Sequence, residues 1–462
     1  MPFIKSISGF RGTIGGSVGD NLTPIDIVEC SAAYGEWLKT KHKGKLKVIL
    51  GRDGRISGPM VGALVTQTLI ALGIDVVDLG LSTTPTVEVA VPIENAHGGI
   101  ILTASHNPKE YNALKLLNHK GEFISAEDGA NLLSIADSRD FDFAGVDDLG
   151  VLTEDDTYIQ KHIDAINALP YVDSDLIKSR KFKAVVDCVN STGAISIVPQ
   201  LEQLGCEVIA LNAEITGDFA HNPEPLPKHL GQLADAVKSH KADIGVAVDP
   251  DVDRLVFIDE NGDPFGEEYT IVAIADIILQ IKPGATVSNL SSSRALRDVT
   301  EKYGCTYTPS KVGEVNVVEM MKATDAVFGG EGNGGVILPE LHYGRDSLVG
   351  VAIVLTYLAQ KEWTVSQLRS QYTNYFMQKD KFNLTEGLDV DGLLIALAQA
   401  YANESVDTRD GVKIDLEDGW IHIRKSNTEP IVRIYTEATS KQLALNLVNH
   451  AKEKIAEILK SA

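Results

Sequence analysis

Short apolar runs that stop on glycine or on polar residues recur through roughly the first 370 residues, and stretches with helical spacing lie between them. The run 47–51 (KVILG) leads into a helical pattern at 61–72, and 74–79 and 98–103 (GGIILT) repeat the strand-like pattern. It returns at 183–187, 207–211, 244–248, 286–290 and 326–329. Strands of this length separated by amphipathic helices predict α/β layers with mixed or parallel sheets. No close repeat of sequence is visible, yet three successive units share one plan, a strand followed by a polar loop.

At about 100–200 residues per domain, a chain of 462 residues should form three or four domains. Breaks in the pattern fall at 137–148, near 265–268 and near 378–383. They divide the chain into α/β units over 1–148, 149–262 and 263–375. A smaller α+β domain follows over 376–462, with a helix, two or three strands (412–416, 420–424, 431–436) and a final helix at 441–459.

The net charge of −22 makes nucleic acid and anionic membrane poor partners, because both carry the same sign. An anionic small-molecule substrate would need a local reversal of that field by clustered Arg and Lys. Cys30, Cys188, Cys206 and Cys305 are scattered with no C-x-x-C, which predicts buried thiols in a reducing compartment. The N-terminus lacks the apolar core of a signal peptide, and no run reaches the ~18 apolar residues that cross a bilayer. A soluble, cytoplasmic protein is expected.

Four segments carry chemistry. Residues 103–108 (TASHNP) directly follow the strand at 98–103, where ligands bind in open α/β sheets, and should expose Ser105. In extended chain the side chains of Ser105 and His106 point apart, so His106 is a poor simple base, although it stays a catalytic candidate. Residues 249–254 (DPDVDR) set Asp249, Asp251 and Asp253 at alternate positions after the strand 244–248. Three carboxylates this close call for a cation, and hard oxygen ligands suit Mg²⁺ or Ca²⁺. An EF-hand is excluded, because Arg254 takes the glycine position and strand-like residues flank the loop. Mg²⁺ holding a phosphoryl oxygen is the better reading.

The run 329–335 (GGEGNGG) lets backbone approach a ligand, and no Lys-Ser/Thr pair follows to make it a P-loop. If the chain is extended there, Glu331 and Asn333 point the same way and suit sugar hydroxyls. Residues 424–430 (RKSNTEP), with Arg433 beyond, combine two arginines with a hydroxyl- and amide-rich turn, the makings of a phosphate cradle. Arg11 lies in a Gly-rich turn at 8–12 (SGFRG), and Asp53 and Arg55 in 51–55 (GRDGR) could pair to fix a loop. Lys115 is placed to reach the same phosphate as Ser105.

Taken in order, SGFRG, GRDGR, TASHNP, DPDVDR, GEGNGG and RKSNTEP resemble the α-D-phosphohexomutase family over essentially the whole chain. The resemblance implies four domains around a central cleft, three of them related α/β units with mixed sheets and the fourth a smaller α+β domain. It implies that Ser105 carries a phosphoryl group and that Asp249, Asp251 and Asp253 hold Mg²⁺ together with an oxygen of phospho-Ser105. Glu331 and Asn333 would bind sugar hydroxyls. Arg424, Ser426, Asn427, Thr428 and Arg433 would hold the idle phosphate, and Arg11, Lys115 and Arg254 would neutralise the reacting one. Hexose 1- and 6-phosphates would interconvert through a sugar 1,6-bisphosphate, in a monomer or homodimer. Glucosamine phosphate is the favoured substrate, ahead of glucose and mannose phosphates. A sugar-phosphate phosphatase and a non-catalytic binder are the alternatives.

The sequence departs from common family patterns at Asn333 and Gly335, where bacterial members usually carry Ser and His, and this form looks like archaeal-type members. Pro250 and Val252 also stand where Gly and Ala are frequent, with all three Asp kept.

Overall fold

Local chemistry starts the elements that carry the site. The helix Pro24–Lys41 begins with a capping box, in which Asp26 N donates to the Thr23 hydroxyl and Thr23 N donates to the Asp26 carboxylate. Asp346 caps the helix Ser347–Lys361, with Oδ1 accepting from Leu348 N at 2.8 Å and Val349 N at 3.3 Å. That helix is buried continuously from Ser347 to Ala359, so its sequence is apolar all round.

The computed structural model describes residues 3–6, 9–385, 388–426 and 431–461. It falls into two compact units, one of Met1–Lys282 with Asn333–Arg369 and one of Pro283–Gly332 with Ser370–Ala462. The residues 263–375 therefore contribute to both.

In the first unit, a mixed seven-stranded sheet runs in the order Ile4–Ser6, Gly9–Thr13, Tyr111–Leu117, Gly98–Leu102, Lys47–Arg52, Asp75–Leu81, Leu152–Glu154. Its last four strands pair in parallel and the others antiparallel. A four-stranded sheet follows, ordered Leu255–Ile258, Ile244–Val248, Lys183–Asp187, Glu207–Leu211, with only the first pair antiparallel. Each has its own apolar core, around Val48, Leu50 and Leu102 in the first and Val185, Leu233 and Ala247 in the second.

The second unit holds parallel strands Tyr307–Ser310, Thr286–Asn289 and Phe328–Glu331. It also holds a five-stranded antiparallel sheet, ordered Phe376–Asn383, Ile431–Ala438, Gly419–Lys425, Val412–Leu416, Ser405–Asp407. Two or three strands were expected there. The break read at 378–383 belongs to an edge strand paired along its whole length with Ile431–Ala438. Its run Lys379-Asp380-Lys381 looks like a linker because edge strands carry charge to prevent further pairing. Cys30, Cys188 and Cys206 are buried as free thiols, while Cys305 is half-buried.

Candidate active site

Ser105 follows the strand Gly98–Leu102 on a turn, and its φ of 48° is a left-handed backbone rare outside glycine. The turn is held from behind. Thr103 Oγ1 accepts from Ser105 N at 2.9 Å and donates to Asp53 Oδ2 at 2.6 Å. Arg55, 1% exposed, donates from Nε to Asp53 at 3.0 Å and spends its other nitrogens on the carbonyls of Ser105, Asn107, Pro108 and Tyr111. The pairing read in GRDGR is thus what fixes the serine loop.

Ser105 is 4% exposed, not open to solvent as the motif suggested, because its hydroxyl turns inward and donates to Asp249 Oδ2 at 2.6 Å. Nor do Ser105 and His106 point apart. The left-handed turn replaces extended chain and leaves His106 Nδ1 3.4 Å from Oγ. Burial, then the nearby Arg254 charge, pushes the His106 imidazole down to about 2, so the ring is neutral here.

The aspartate loop is strained at the same point in its plan. Val252 is β-branched, buried, and held at φ 63°, a genuine outlier of the kind found at functional sites. Asp249, Asp251 and Asp253 are fully buried, and an oxygen from each lies within 4.8 Å of the others. Asp249 Oδ1 accepts the amides of Asp253 and Arg254, both at 3.1 Å. Asp251 Oδ2 accepts from Lys115 Nζ and from Thr84 Oγ1, each at 2.6 Å. Asp253 Oδ2 accepts from Lys115 at 3.1 Å and Arg345 Nη2 at 2.7 Å. Asp251 Oδ1 and Asp253 Oδ1 are buried without a hydrogen-bond partner, and the Arg254 Nε ion pair to the latter is 4.0 Å long.

Burial, with Asp253 and Asp251 beside it, holds the Asp249 carboxyl well above the usual range. Burial also acts on Asp253, but Arg345, Lys115 and Arg254 outweigh it and hold that carboxyl low. Orphaned carboxylate oxygens next to a carboxylate that resists ionising are a donor set that fits a hard divalent cation. Arg11 donates from Nη1 to Asn107 Oδ1 at 3.1 Å, and Arg254 pairs with Glu224 at 3.3 Å. The first unit therefore brings Ser105, His106, Lys115, Arg254 and the three aspartates together, with Arg11 held against the serine loop.

Sequence reading missed Thr84, Thr103 and Arg345 in this assembly. The available signal for Arg345 was the polar run 342–346 just before a mostly apolar helix. Replacing Arg345 with Met should lower kcat about ten- to hundredfold, the scale of one charge-assisted hydrogen bond. Steady-state rates across a Mg²⁺ series check this, and an unchanged kcat overturns it.

Glu331 and Asn333 do not share one extended strand, because the chain turns at 332–334. Glu331 Oε1 accepts from Asn289 Nδ2 at 2.9 Å and Gly313 N at 3.1 Å. Asn333 closes the turn by accepting from Gly335 N at 3.2 Å. Gly334 sits at φ 89°, where a Cβ would meet the Leu255 carbonyl oxygen at 2.3 Å, so only glycine fits.

In the antiparallel sheet, Arg424 lies directly opposite Arg433, and Arg433 opposite Lys381. Opposed residues share a sheet face, so three cations form a row that repels itself unless an anion lies over it. Arg433 is exposed, Arg424 is half-buried with Asp410 Oδ2 at 3.0 Å, and Ser426 is buried. Lys381 had no signal, since its segment looked like a linker. Ser8, Asn427 and Thr428 lie outside the described residues.

His422, two residues before Arg424 and so on the same sheet face, predicts a pH effect. Its Nδ1 faces Ser291 Oγ at 2.9 Å, its Nε2 faces the Asp410 carbonyl at 2.7 Å, and burial pushes its imidazole down to about 4. The unfolded chain takes up a proton near pH 6.5 that the folded state refuses until pH 4, so stability falls as pH drops through that window. From pH 6.5 to 5 the loss should be roughly 2 kcal/mol. His422→Gln should remove that share of the slope in urea unfolding at the two pH values, leaving the share of His106, and an unchanged slope rules His422 out.

Models of the phosphoglucomutase/phosphomannomutase α/β/α domains I, II and III match residues 5–143, 160–262 and 266–375, and the model of the C-terminal domain matches 381–454. The chain belongs to the phosphoglucomutase/phosphomannomutase family, with three mixed-sheet α/β domains and a C-terminal antiparallel-sheet domain. It is 35% identical over 455 residues to a phosphoglucomutase/phosphomannomutase of Thermococcus kodakarensis, covering 97% of this chain and 99% of the relative. A phosphoglucosamine/phosphogalactosamine mutase of Sulfurisphaera tokodaii is 34% identical, with 96% and 97% covered. A crystal structure of a family protein from Burkholderia thailandensis superposes with a TM-score of 0.84 at 25% identity, covering 98% of this chain and 96% of that one. The protein is accordingly an enzyme, a mutase of the phosphohexomutase family. Among the described residues no helix is long and apolar enough to cross a membrane.

Proposed function

We propose that this enzyme interconverts hexose 1-phosphate and hexose 6-phosphate through phospho-Ser105, with glucosamine phosphate as the preferred substrate. The observation that carries the reading is the Ser105 hydroxyl, 2.6 Å from Asp249 Oδ2, beside two buried carboxylate oxygens that lack hydrogen-bond partners. Asp249, Asp251 and Asp253 would hold Mg²⁺, which when bound neutralises charge on the phosphoryl oxygens.

A free sugar hydroxyl attacks phosphorus, the P–O bond to Ser105 breaks, the hydroxyl proton ends on the departing Ser105 oxygen, and the sugar becomes a 1,6-bisphosphate. The bisphosphate turns end for end, and Ser105 takes back the phosphoryl group from the other position. Lys115, Arg254 and Arg11 supply the positive charge that steadies the reacting phosphoryl, and positioning does most of the catalytic work. His106, 3.4 Å from Oγ, orients the serine hydroxyl, because an imidazole pushed down to about 2 is too weak a base to take its proton. Arg424, Ser426 and Arg433, with Asn427 and Thr428, hold the idle phosphate over the cation row, and Glu331 and Asn333 read sugar hydroxyls. The domain boundaries we propose are 148/149, 262/263 and 375/376.

The name of the Sulfurisphaera relative supports the amino-sugar preference. Side-by-side kinetics on the 1-phosphates of glucosamine, glucose and mannose test it, with the highest kcat/KM expected for glucosamine. A higher value for glucose or mannose assigns the enzyme to that sugar. Release of inorganic phosphate as fast as isomerisation would make it a phosphatase instead.

A further inference from the structure

The run 342–346, His-Tyr-Gly-Arg-Asp, sends Arg345 to Asp253 but turns His342 and Asp346 away into a second buried cluster. There His162 Nε2 lies 2.9 Å and His342 Nε2 3.2 Å from the same atom, Asp346 Oδ2. The side chains of His162, Asp346 and Glu88 are at most 1% exposed, and that of His342 is 7% exposed. We propose that His162, His342 and Asp346 form a second divalent-cation site, distinct from the aspartate triad and suited to a transition ion such as Zn²⁺.

Three observations carry the assignment. First, one ligand atom from each of the three residues lies within 4.8 Å of the others. Bonds of 2.0–2.1 Å to a tetrahedral ion would place neighbouring ligand atoms about 3.3 Å apart, so little movement is needed. Two imidazoles and one carboxylate are also a donor set that favours transition ions over Mg²⁺.

Second, the outer nitrogen of each ring already faces an oxygen. His162 Nδ1 is 3.0 Å from Thr86 Oγ1, and His342 Nδ1 is 3.2 Å from Glu88 Oε2. Metal-bound imidazoles are held by a hydrogen bond at the outer nitrogen; His162 makes one, and His342 has in its place the close approach of a carboxylate. Glu88 itself is enclosed by the 342–346 turn, since a Cβ on Gly344 would fall 1.7 Å from its Oε2.

Third, the cluster buries two carboxylates, Glu88 and Asp346, which demand positive charge at close range. One divalent ion supplies both charges with both rings neutral. Such an ion would tie the helix Tyr158–Asn167 to the start of Ser347–Lys361, one residue from the arginine that holds Asp253.

The test is a Co²⁺ titration of the metal-stripped full chain by equilibrium dialysis. Two ions per chain are expected in the wild type, and one in His342→Gln and in His162→Gln. Neither histidine belongs to the phosphoryl-transfer machinery, so retained Mg²⁺-dependent turnover verifies that the variants fold. One ion in the wild type, or two in both variants, overturns the site. Should both variants misfold, X-ray absorption of wild type loaded with two equivalents of Zn²⁺ decides. Imidazole scattering supports the site, and ligation by oxygen alone overturns it.

Discussion

Ser105→Ala should reduce turnover by at least roughly 10⁴-fold, since the lost hydroxyl is the group that carries the phosphoryl in the proposed reaction. The fold should survive. The loop backbone is held by Arg55 on the Ser105, Asn107, Pro108 and Tyr111 carbonyls and by Thr103 on the Ser105 amide, none of which uses the hydroxyl. The hydroxyl's own contacts are the hydrogen bond to Asp249 and the 3.4 Å approach to His106, so its loss should cost only about 1–2 kcal/mol. Thermal melts would therefore be close to wild type while activity vanishes. Intact-protein mass adds an independent readout. A fraction of wild type should carry one phosphate that disappears on mixing with substrate, and the variant should carry none. Mutase activity retained in Ser105→Ala would eliminate this serine as the carrier.

Asp251→Asn should lower kcat about 10³-fold, the several kcal/mol that a correctly held cation contributes to phosphoryl transfer. The change keeps the shape of the side chain and replaces one of the three buried carboxyl groups with a neutral amide. Asp251 is the informative choice because its Oδ1 has no hydrogen-bond partner, while Lys115 and Thr84 bind only Oδ2. Binding of Mg²⁺ to the folded state alone should raise the wild-type melting temperature, and the variant should lose most of that shift. Chelation should bring wild type down to the level of the variant. A variant that keeps both the Mg²⁺-induced shift and activity within tenfold of wild type would remove the triad from the metal site.

The alternation of short apolar runs with amphipathic stretches located the α/β strands well. The strands at 183–187, 207–211, 244–248 and 412–416 run over those same residues. Three of these runs carry buried positions, and Glu207–Leu211, which has none, was legible from its apolar residue types alone. Two strands were not legible because their residue types lack an apolar run. Phe376–Asn383 has no fully buried position, and its charges disguised it. The strand Gly9–Thr13 has two glycines in five residues and so lacks an apolar run.

The same division holds in the site. Ser105 and the three aspartates were readable because each ends a buried strand on a polar loop. Their environment was not. Ser105 was expected to be exposed, and one left-handed φ turned it inward onto an aspartate 144 residues away. Arg345 looked like part of a polar turn until folding set its guanidinium 2.7 Å from Asp253.

By itself, then, the sequence determined the repeated strand-and-loop plan, the candidate reactive groups and the assignment to a family. These depend on residue type and on spacing along the chain. Tertiary structure alone decided which carboxylate oxygens are left without partners, which cations stand against them, and that two histidines meet one aspartate behind the triad. Those outcomes depend on distances of about 3 Å between residues far apart in the chain, and hydrogen bonds and ion pairs at that range are made or lost by small turns of the backbone.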